Sequence, residues 1–199
     1  MSVPLILASS SRSRRIMLES AGVTFGVTVP AIDEAILKSV LLDSGSDGHR
    51  IAEELAVAKT LSVSRRHPGC LVLGADQVLV CEGRMFSKSD TEAEARETLN
   101  ALCGREHQLI TAAIIARDEM ALWRHTETAV LTMRKFSAAF LDQYLTAEIP
   151  EILGSIGCYH IEGRGAQLFS EVAGDQFCIR GLPLIPVLSA LRGFGVIAA

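Results

Sequence analysis

The stretch Leu71-Val72-Leu73-Gly74-Ala75-Asp76-Gln77-Val78-Leu79-Val80 is the longest apolar run of this chain, and two polar residues interrupt it. Its aliphatic and β-branched residues read as a strand from Cys70 to Ala75, with Gln77 to Cys81 as its continuation or a paired strand. Glu82-Gly83 then signals a hairpin. A bilayer span needs roughly 20 apolar residues, so this run does not describe one. An acid embedded among Val, Leu and Ala is expensive unless it is paired, hydrogen-bonded or bound to a cation. Asp76 is therefore the best single candidate for a metal ligand or for a base that prepares water. A salt-bridged structural aspartate is the competing reading.

On the N-terminal side, Pro4 to Ala8 reads as a short buried strand and Ser9 to Ser13 as a hydroxyl-rich loop. A helix is expected from near Arg14, with Ile16, Leu18 and Ala21 inward and Gly22 closing it. Thr24 to Val29 alternates like a strand. Ser46 or Asp47 can cap a helix that turns Ile51, Leu55, Ala58 and Leu61 to one face. On the C-terminal side, Asp90 is expected to cap a helix through Leu102, with Glu92 and Glu94 where its dipole favours them. His107 to Arg117 and Ala121 to Arg134 read as a long β-hairpin, and Ser137 caps a helix to Ala147. Residues 154 to 181 are glycine-rich with strand-like fragments, and Pro183 sits in the first turn of a closing helix that ends at Gly193. Strands alternating with helices, plus a hairpin, predict an α/β fold with a mixed, twisted sheet flanked by helices. With no repeat and no clear linker, residues 1–199 are expected to form a single domain.

Composition narrows the function classes. The 199 residues carry 19 Lys plus Arg against 23 Asp plus Glu, a net charge of -4, with 49% hydrophobic and 21% charged residues. Disorder is excluded, and an acidic chain does not coat nucleic acid by general attraction. Basic residues follow the first apolar stretch, the reverse of a secretory signal. Five widely spaced cysteines without C-x-x-C read as reduced thiols of a cytoplasmic protein, with a structural zinc site as a minor alternative. Only four lysines occur: Lys38, Lys59, Lys88 and Lys135.

Beyond Asp76, the segment from Ala8 to Arg15 is a natural anion site: a strand end, small hydroxyl residues (Ser9, Ser11) and a helix N-terminus beside Arg14 and Arg15. It is no Walker loop, since G-x-x-x-x-G-K-[ST] is absent. The adjacent carboxylates Asp33-Glu34, placed in a loop, can hold Mg2+ together with substrate phosphates. Lys59 on a helix face and Lys88 in a loop gain meaning only beside these groups. His107 reads as a hydrogen-bonded structural residue. Glu162, an acid between glycines, fits either a base-edge reader or a turn.

In order along the chain, these segments resemble the Maf family of nucleoside triphosphate pyrophosphatases. Leu5-Ile6-Leu7-Ala8-Ser9 through Arg14-Arg15 is similar to its A-S-x-S opening, Ile32-Asp33-Glu34 to its acidic motif, and Leu55-Ala56-Val57-Ala58-Lys59 to its lysine helix. Gly74-Ala75-Asp76, Cys103-Gly104-Arg105-Glu106-His107 through Thr111, and Gly181-Leu182-Pro183 match the later motifs. Two positions depart from the family: Ser89 follows Lys88 where proline is usual, and Arg12-Ser13 replaces a proline-containing pair. The resemblance implies two lobes around a deep cleft (an ITPase-like architecture), hydrolysis between the α and β phosphates, a divalent cation (Mg2+, with Mn2+ or Co2+ as alternatives) and a homodimer. It implies no membrane and no stable nucleic-acid partner. By the same resemblance, Asp76, Glu34 and Lys88 are the catalytic group, with Asp76 and Glu34 on the metal, and Ser9, Ser11, Arg14, Arg15 and Lys59 hold phosphates. Gln77 and Glu162 stand where the family sets base selectivity. They resemble the branch associated with 7-methyl-GTP rather than the branch for dTTP and UTP, which remains the alternative. Methylation at N7 makes guanine cationic, and the Glu162 carboxylate can accept from N1 and N2 while offsetting that charge. A non-catalytic nucleotide- or nucleic-acid-binding regulator of septum formation is the rival from another class.

Overall fold

In the computed structural model, which describes residues 3–198, the apolar run and its continuation form one uninterrupted strand, β3 (Leu71–Cys81). Only Gln77 and Val80 along it are more than marginally exposed. A strand buried on both faces shows no period-2 alternation, which is why its polar interruption mimics a break. Beside it lies β1 (Leu5–Ala8), paired in parallel from Leu5↔Leu71 to Ala8↔Gly74. β2 (Gly26–Val27) extends this parallel side. Glu82 and Gly83, with φ of 49° and 77°, turn the chain back into the antiparallel strand β4 (Arg84–Phe86). Two successive left-handed residues are what a tight hairpin of right-twisted strands requires. β5 (Glu106–Arg117), β6 (Met120–Met133) and β7 (Phe169–Ala173) complete a mixed sheet of order β2-β1-β3-β5-β6-β7.

The helices are α1 (Arg12–Ser20), α2 (Glu34–Asp43), α3 (Gly48–Ser64), α4 (Glu92–Leu102), α5 (Ala138–Glu148), α6 (Gln176–Ile179) and α7 (Leu184–Gly193). Two compact units are present: Met1–Gln77 with Thr111–Glu127 and Gln176–Ala199, and Val78–Ile110 with Thr128–Asp175. In the first, Leu5, Leu7, Leu71, Leu73, Ala113 and Ile115 of the strands pack with Met17 and Leu18 of α1 and Val187 and Leu191 of α7. In the second, Leu99 and Leu102 of α4, Leu109 and Leu131 of the strands, and Leu141 and Leu145 of α5 are buried.

One close approach in the first unit aligns the helix that carries Lys59. Asp47 caps α3 by accepting the Arg50 N–H at 2.8 Å, and the helix buries Ile51, Ala52, Leu55, Ala56, Lys59, Thr60 and Val63. Thr60 lies against Gly74 so closely that a Cβ at Gly74 would overlap the Thr60 hydroxyl and stand 3.1 Å from its Cβ. Glycine is thus the residue that lets α3 settle on β3.

Several local expectations are corrected. α1 begins at Arg12 rather than near Arg14, because Ser11 caps it, and its buried residues are Met17 and Leu18 while Ile16 is exposed. The strand expected from Thr24 to Val29 is reduced to two residues. Thr91, not Asp90, caps α4, and Glu94 at the third helical position accepts the Asp90 N–H, one residue ahead of the cap, at 2.8 Å. Pro183 stands just ahead of α7 rather than within it. α2 was not expected at all. It has no buried residue, and Ile36, Val40 and Leu42 are exposed, so no amphipathic stripe announces it.

Candidate active site

Alternation along β3 distributes the chemistry of the first unit. Gly74 and Asp76 project to the α3 side and Ala75 and Gln77 to the other. Because Ala8 pairs with Gly74, the chain leaving β1 at Ser9 runs abreast of Ala75, next to Asp76. The carboxyl end of β1 therefore lies beside the middle of β3, and ligands of open α/β sheets bind outside such strand ends.

On the α3 side, Lys59 Nζ lies 2.5 Å from Asp76 Oδ1 and 2.7 Å from Glu34 Oε2. The Lys59 and Asp76 side chains are only 11% and 9% exposed, against 56% for Glu34. The three groups come from three elements, and Lys59 is the ammonium that makes two neighbouring carboxylates tolerable. Burial raises Asp76 above the ordinary carboxylate range, while Lys59 and Arg14 oppose the shift and Glu34 adds to it. Asp33 and Glu34 are not loop acids, as expected, but the start of α2. Asp33 caps the helix, accepting the Ile36 N–H at 3.0 Å, and Glu34 occupies the first turn. The cap consumes Asp33 and leaves Glu34 to face Lys59.

Lys38, one turn after Glu34, is the residue that sequence reasoning missed. It is half-buried, as are Leu37 and Leu41 of the same helix, and burial lowers its pKa while its attraction to Asp76 opposes the change. Glu34 and Lys38 at i, i+4 were the available signal, but it is legible only once α2 is known to be a helix.

On the opposite face, Arg14 is held by three acceptors. Its Nε donates to the Gly181 carbonyl at 2.7 Å, and Nη1 donates to the Ala75 carbonyl at 2.7 Å and to Ser9 Oγ at 3.3 Å. Burial lowers its pKa, with Asp76 and Glu34 opposing, and a guanidinium remains charged in such a place. Its presence in the first turn of α1, against the dipole, is explained by these carbonyls. Ser9 Oγ also accepts the Ser11 N–H at 3.1 Å, and Ser11 caps α1 through the Arg14 N–H. Arg15 does not join them: it lies on the solvent side and pairs with Glu19 at 3.7 Å. Gln77 directs its amide nitrogen to Thr111 Oγ1 and the Cys178 carbonyl at 2.9 Å, and to the Ile179 carbonyl at 3.2 Å.

The second unit carries Lys88 and Glu162, both exposed. The usual proline after the lysine is replaced by a buried serine. Ser89 Oγ lies 3.3 Å from Thr98 Oγ1 and accepts the Cys158 thiol at 3.2 Å, while its carbonyl accepts the Gly154 N–H at 3.1 Å. Cross-links therefore restrain this loop in place of a rigid ring. His107 is buried, with Nε2 at 2.8 Å from Tyr159 Oη, and burial lowers its pKa to about 4. It is hydrogen-bonded through one ring nitrogen, while its buried Nδ1 has no hydrogen-bond partner.

Among the described residues, no group of three or more His, Cys, Asp or Glu is placed to hold a metal. Asp76 and Glu34 nonetheless converge on one Nζ, and each keeps a second oxygen outside that contact. Mg2+ commonly takes one or two carboxylates and completes its shell with water and phosphate oxygens. The donor set fits a cation shared with a polyphosphate, not a cage built of protein alone. No helix among the described residues is long and apolar enough to cross a membrane.

The Maf-like protein family matches residues 4–194. Over 188 residues the chain is 45% identical to a nucleoside triphosphate pyrophosphatase of Granulibacter bethesdensis, covering 94% of this chain and 95% of that one. It is 44% identical over 197 residues, 99% of each chain, to a 7-methyl-GTP pyrophosphatase of Mesorhizobium japonicum. A 7-methyl-GTP pyrophosphatase of Brucella abortus is 41% identical over 192 residues, 96% of each chain.

Proposed function

The chain belongs to the Maf-like protein family, and from that premise we propose that it is a nucleoside triphosphate pyrophosphatase with 7-methyl-GTP as its preferred substrate. The observation that carries this reading is the Asp76–Lys59–Glu34 cluster beside the Arg14 guanidinium, at the end of β1 and the middle of β3. Relatives bearing both names support it, and dTTP or UTP remains the second choice of base.

Asp76 is placed to accept a proton from water, since its burial favours the neutral acid that results. The water oxygen bonds to the α phosphorus, the α–β bridging P–O bond breaks, and its electron pair leaves on pyrophosphate. Asp76 and Glu34 would hold a divalent cation, which supplies charge neutralisation and polarises the phosphoryl oxygens. Lys59 keeps the two carboxylates together. Arg14 has Nη2 outside its three internal bonds and directs it to phosphate, with Ser9 and Lys88 as further donors and Ser11 acting through the helix it caps. Glu162 accepts from the N1 and N2 donors of the base and offsets the positive charge of an N7-methylated guanine. We also assign the activity to the whole chain as one domain, acting as a homodimer in the cytoplasm, where the five cysteines stay reduced.

Pyrophosphate release from a panel of nucleotides with Mg2+ or Mn2+ tests the reading. Turnover of 7-methyl-GTP to monophosphate and pyrophosphate is expected. If no triphosphate is hydrolysed above an Asp76→Asn control, the enzymatic reading is wrong. Glu162→Gln should weaken 7-methyl-GTP hydrolysis more than UTP hydrolysis, and equal losses would remove Glu162 as the base reader.

A further inference from the structure

We propose that Lys38 is a further phosphate-binding residue of this site, holding oxygens of the triphosphate from helix α2. Positions 34, 37, 38 and 41 recur at i, i+3, i+4 and i+7, so they share one face of α2. Glu34 fixes the direction of that face, because its Oε2 meets Lys59 Nζ at 2.7 Å beside Asp76. Leu37, Lys38 and Leu41 are half-buried along it, while Ile36, Val40 and Leu42 are exposed. Burial alone would favour the reverse, with more of the aliphatic side chains inward and the ammonium in water. Lys38 lies within electrostatic reach of Asp76, yet Lys59 and Arg14 already match Asp76 and Glu34 charge for charge. Asp33 is turned onto its own helix as the cap. The third cation therefore leaves this group of residues net positive, which suits a polyanion.

The side chain itself selects the part of the nucleotide it meets. An ammonium has three donors and no acceptor, so it does not ligate a metal. An N7-methylated guanine is cationic and is repelled by it. Phosphate oxygens are what a compact charge on a flexible four-carbon stem suits. Lys38 comes from the α2 side, whereas Arg14 is held on the opposite face of β3 by the Gly181 and Ala75 carbonyls. The two cations thus approach a triphosphate from different sides.

This assignment rests on the reading of the cluster as a triphosphate site, so its test includes a binding arm that needs neither a base nor turnover. Affinity for inorganic tripolyphosphate with Mg2+ is measured by titration calorimetry on the whole chain and on Lys38→Met, Lys38→Arg and Arg50→Met. Lys38→Met should weaken binding about 10-fold, the scale of one charge-assisted hydrogen bond. Lys38→Arg, which keeps the charge, should lose less. Arg50 is exposed, pairs with Glu54 at 3.2 Å, and stands about 14 Å before Lys59 along α3. Arg50→Met should therefore leave the affinity unchanged. In steady-state hydrolysis, Lys38→Met should raise KM by a similar factor on each nucleotide turned over, with kcat reduced less. α2 has no buried residue, so the variant should melt near the wild-type temperature. Unchanged tripolyphosphate affinity in Lys38→Met, or an equal loss in Arg50→Met, would overturn the assignment. So would a loss confined to kcat, which is what a residue acting only through Asp76 or Glu34 would give. Turnover that is indifferent to Lys38 sinks this assignment alone. Lys38-dependent tripolyphosphate binding in a protein that hydrolyses no nucleotide would instead sink the enzymatic reading and leave Lys38 as a phosphate ligand.

Discussion

Gly74→Ala asks whether the helix bearing Lys59 is seated by the missing side chain of β3. The new Cβ would overlap Thr60 Oγ1 and stand 3.1 Å from Thr60 Cβ and 3.2 Å from its Cα. The last two atoms belong to or adjoin the α3 backbone, so rotating the hydroxyl away does not relieve the contact. That rotation would also break the 2.6 Å bond from Thr60 Oγ1 to the Ala56 carbonyl. Overpacking of this kind costs about 1–3 kcal/mol. Replacing glycine by alanine gains about 0.4–1 kcal/mol through the unfolded state, so the clash wins. A net loss of about 1 kcal/mol lowers the melting temperature of a chain this size by about 2–4 °C. Lys59 adjoins Thr60, so a shift of α3 also opens its 2.5 Å contact with Asp76. A displacement of about 1 Å at such a group can reduce turnover about 100-fold. Thermal melting and pyrophosphate release are measured for Gly74→Ala, Thr60→Ala and the double variant. The double variant should recover part of both losses, with a coupling of about 0.5–3 kcal/mol. Wild-type melting and turnover in Gly74→Ala, or strict additivity in the double variant, would refute the reasoning.

Three further outcomes are expected. Because the folded pKa of Asp76 is raised, chiefly by burial, the neutral acid is the form that folding favours. Its contribution to stability is complete below the ordinary aspartate pKa and is lost as pH rises through the folded value, so Asp76→Asn should flatten the pH dependence of stability in that window while abolishing turnover. His107 behaves in the opposite sense: its pKa falls from 6.5 to about 4, so its stabilising contribution is present above 6.5 and disappears as pH drops through about 4. Acid-unfolding curves of His107→Gln should lose that component, and an unchanged acid limb would count against the assignment. Ser89→Ala removes the hydroxyl that meets Thr98 and Cys158. It should cost about 1–2 kcal/mol in urea unfolding and raise KM through the loosened Lys88 loop; an unchanged KM would detach that loop from substrate binding.

How much of this was legible beforehand differed by element. Capping residues revealed α3 and α5, since Asp47 and Ser137 each precede a helix and close its first turn locally. The β5–β6 hairpin and the Glu82-Gly83 turn were equally open to inspection, because turn chemistry is short-range. α2 was not, because helices with no buried face carry no stripe to find. The exposed Ile16 and buried Met17 of α1 show the related limit: adjacent apolar residues on a short helix do not say which of them faces the core.

The same division runs through the candidate site. Local order along the chain was enough to name Asp76 as an acid in an apolar strand, to place Ser9 and Arg14 at a strand-to-helix junction, and to recognise a set of motifs in family order. The pairing of those residues was another matter. Lys59 meets Asp76 across 17 positions, Gln77 meets Cys178 across 101, and Arg14 meets Gly181 across 167. No periodicity or spacing encodes such contacts, because they arise when strand pairing and helix packing bring separate segments to one place. In the folded chain Lys59, expected to hold phosphate, lies between two carboxylates, and Arg15 lies at the surface beside Glu19. Desolvation, which no single segment possesses on its own, then raised the pKa of Asp76.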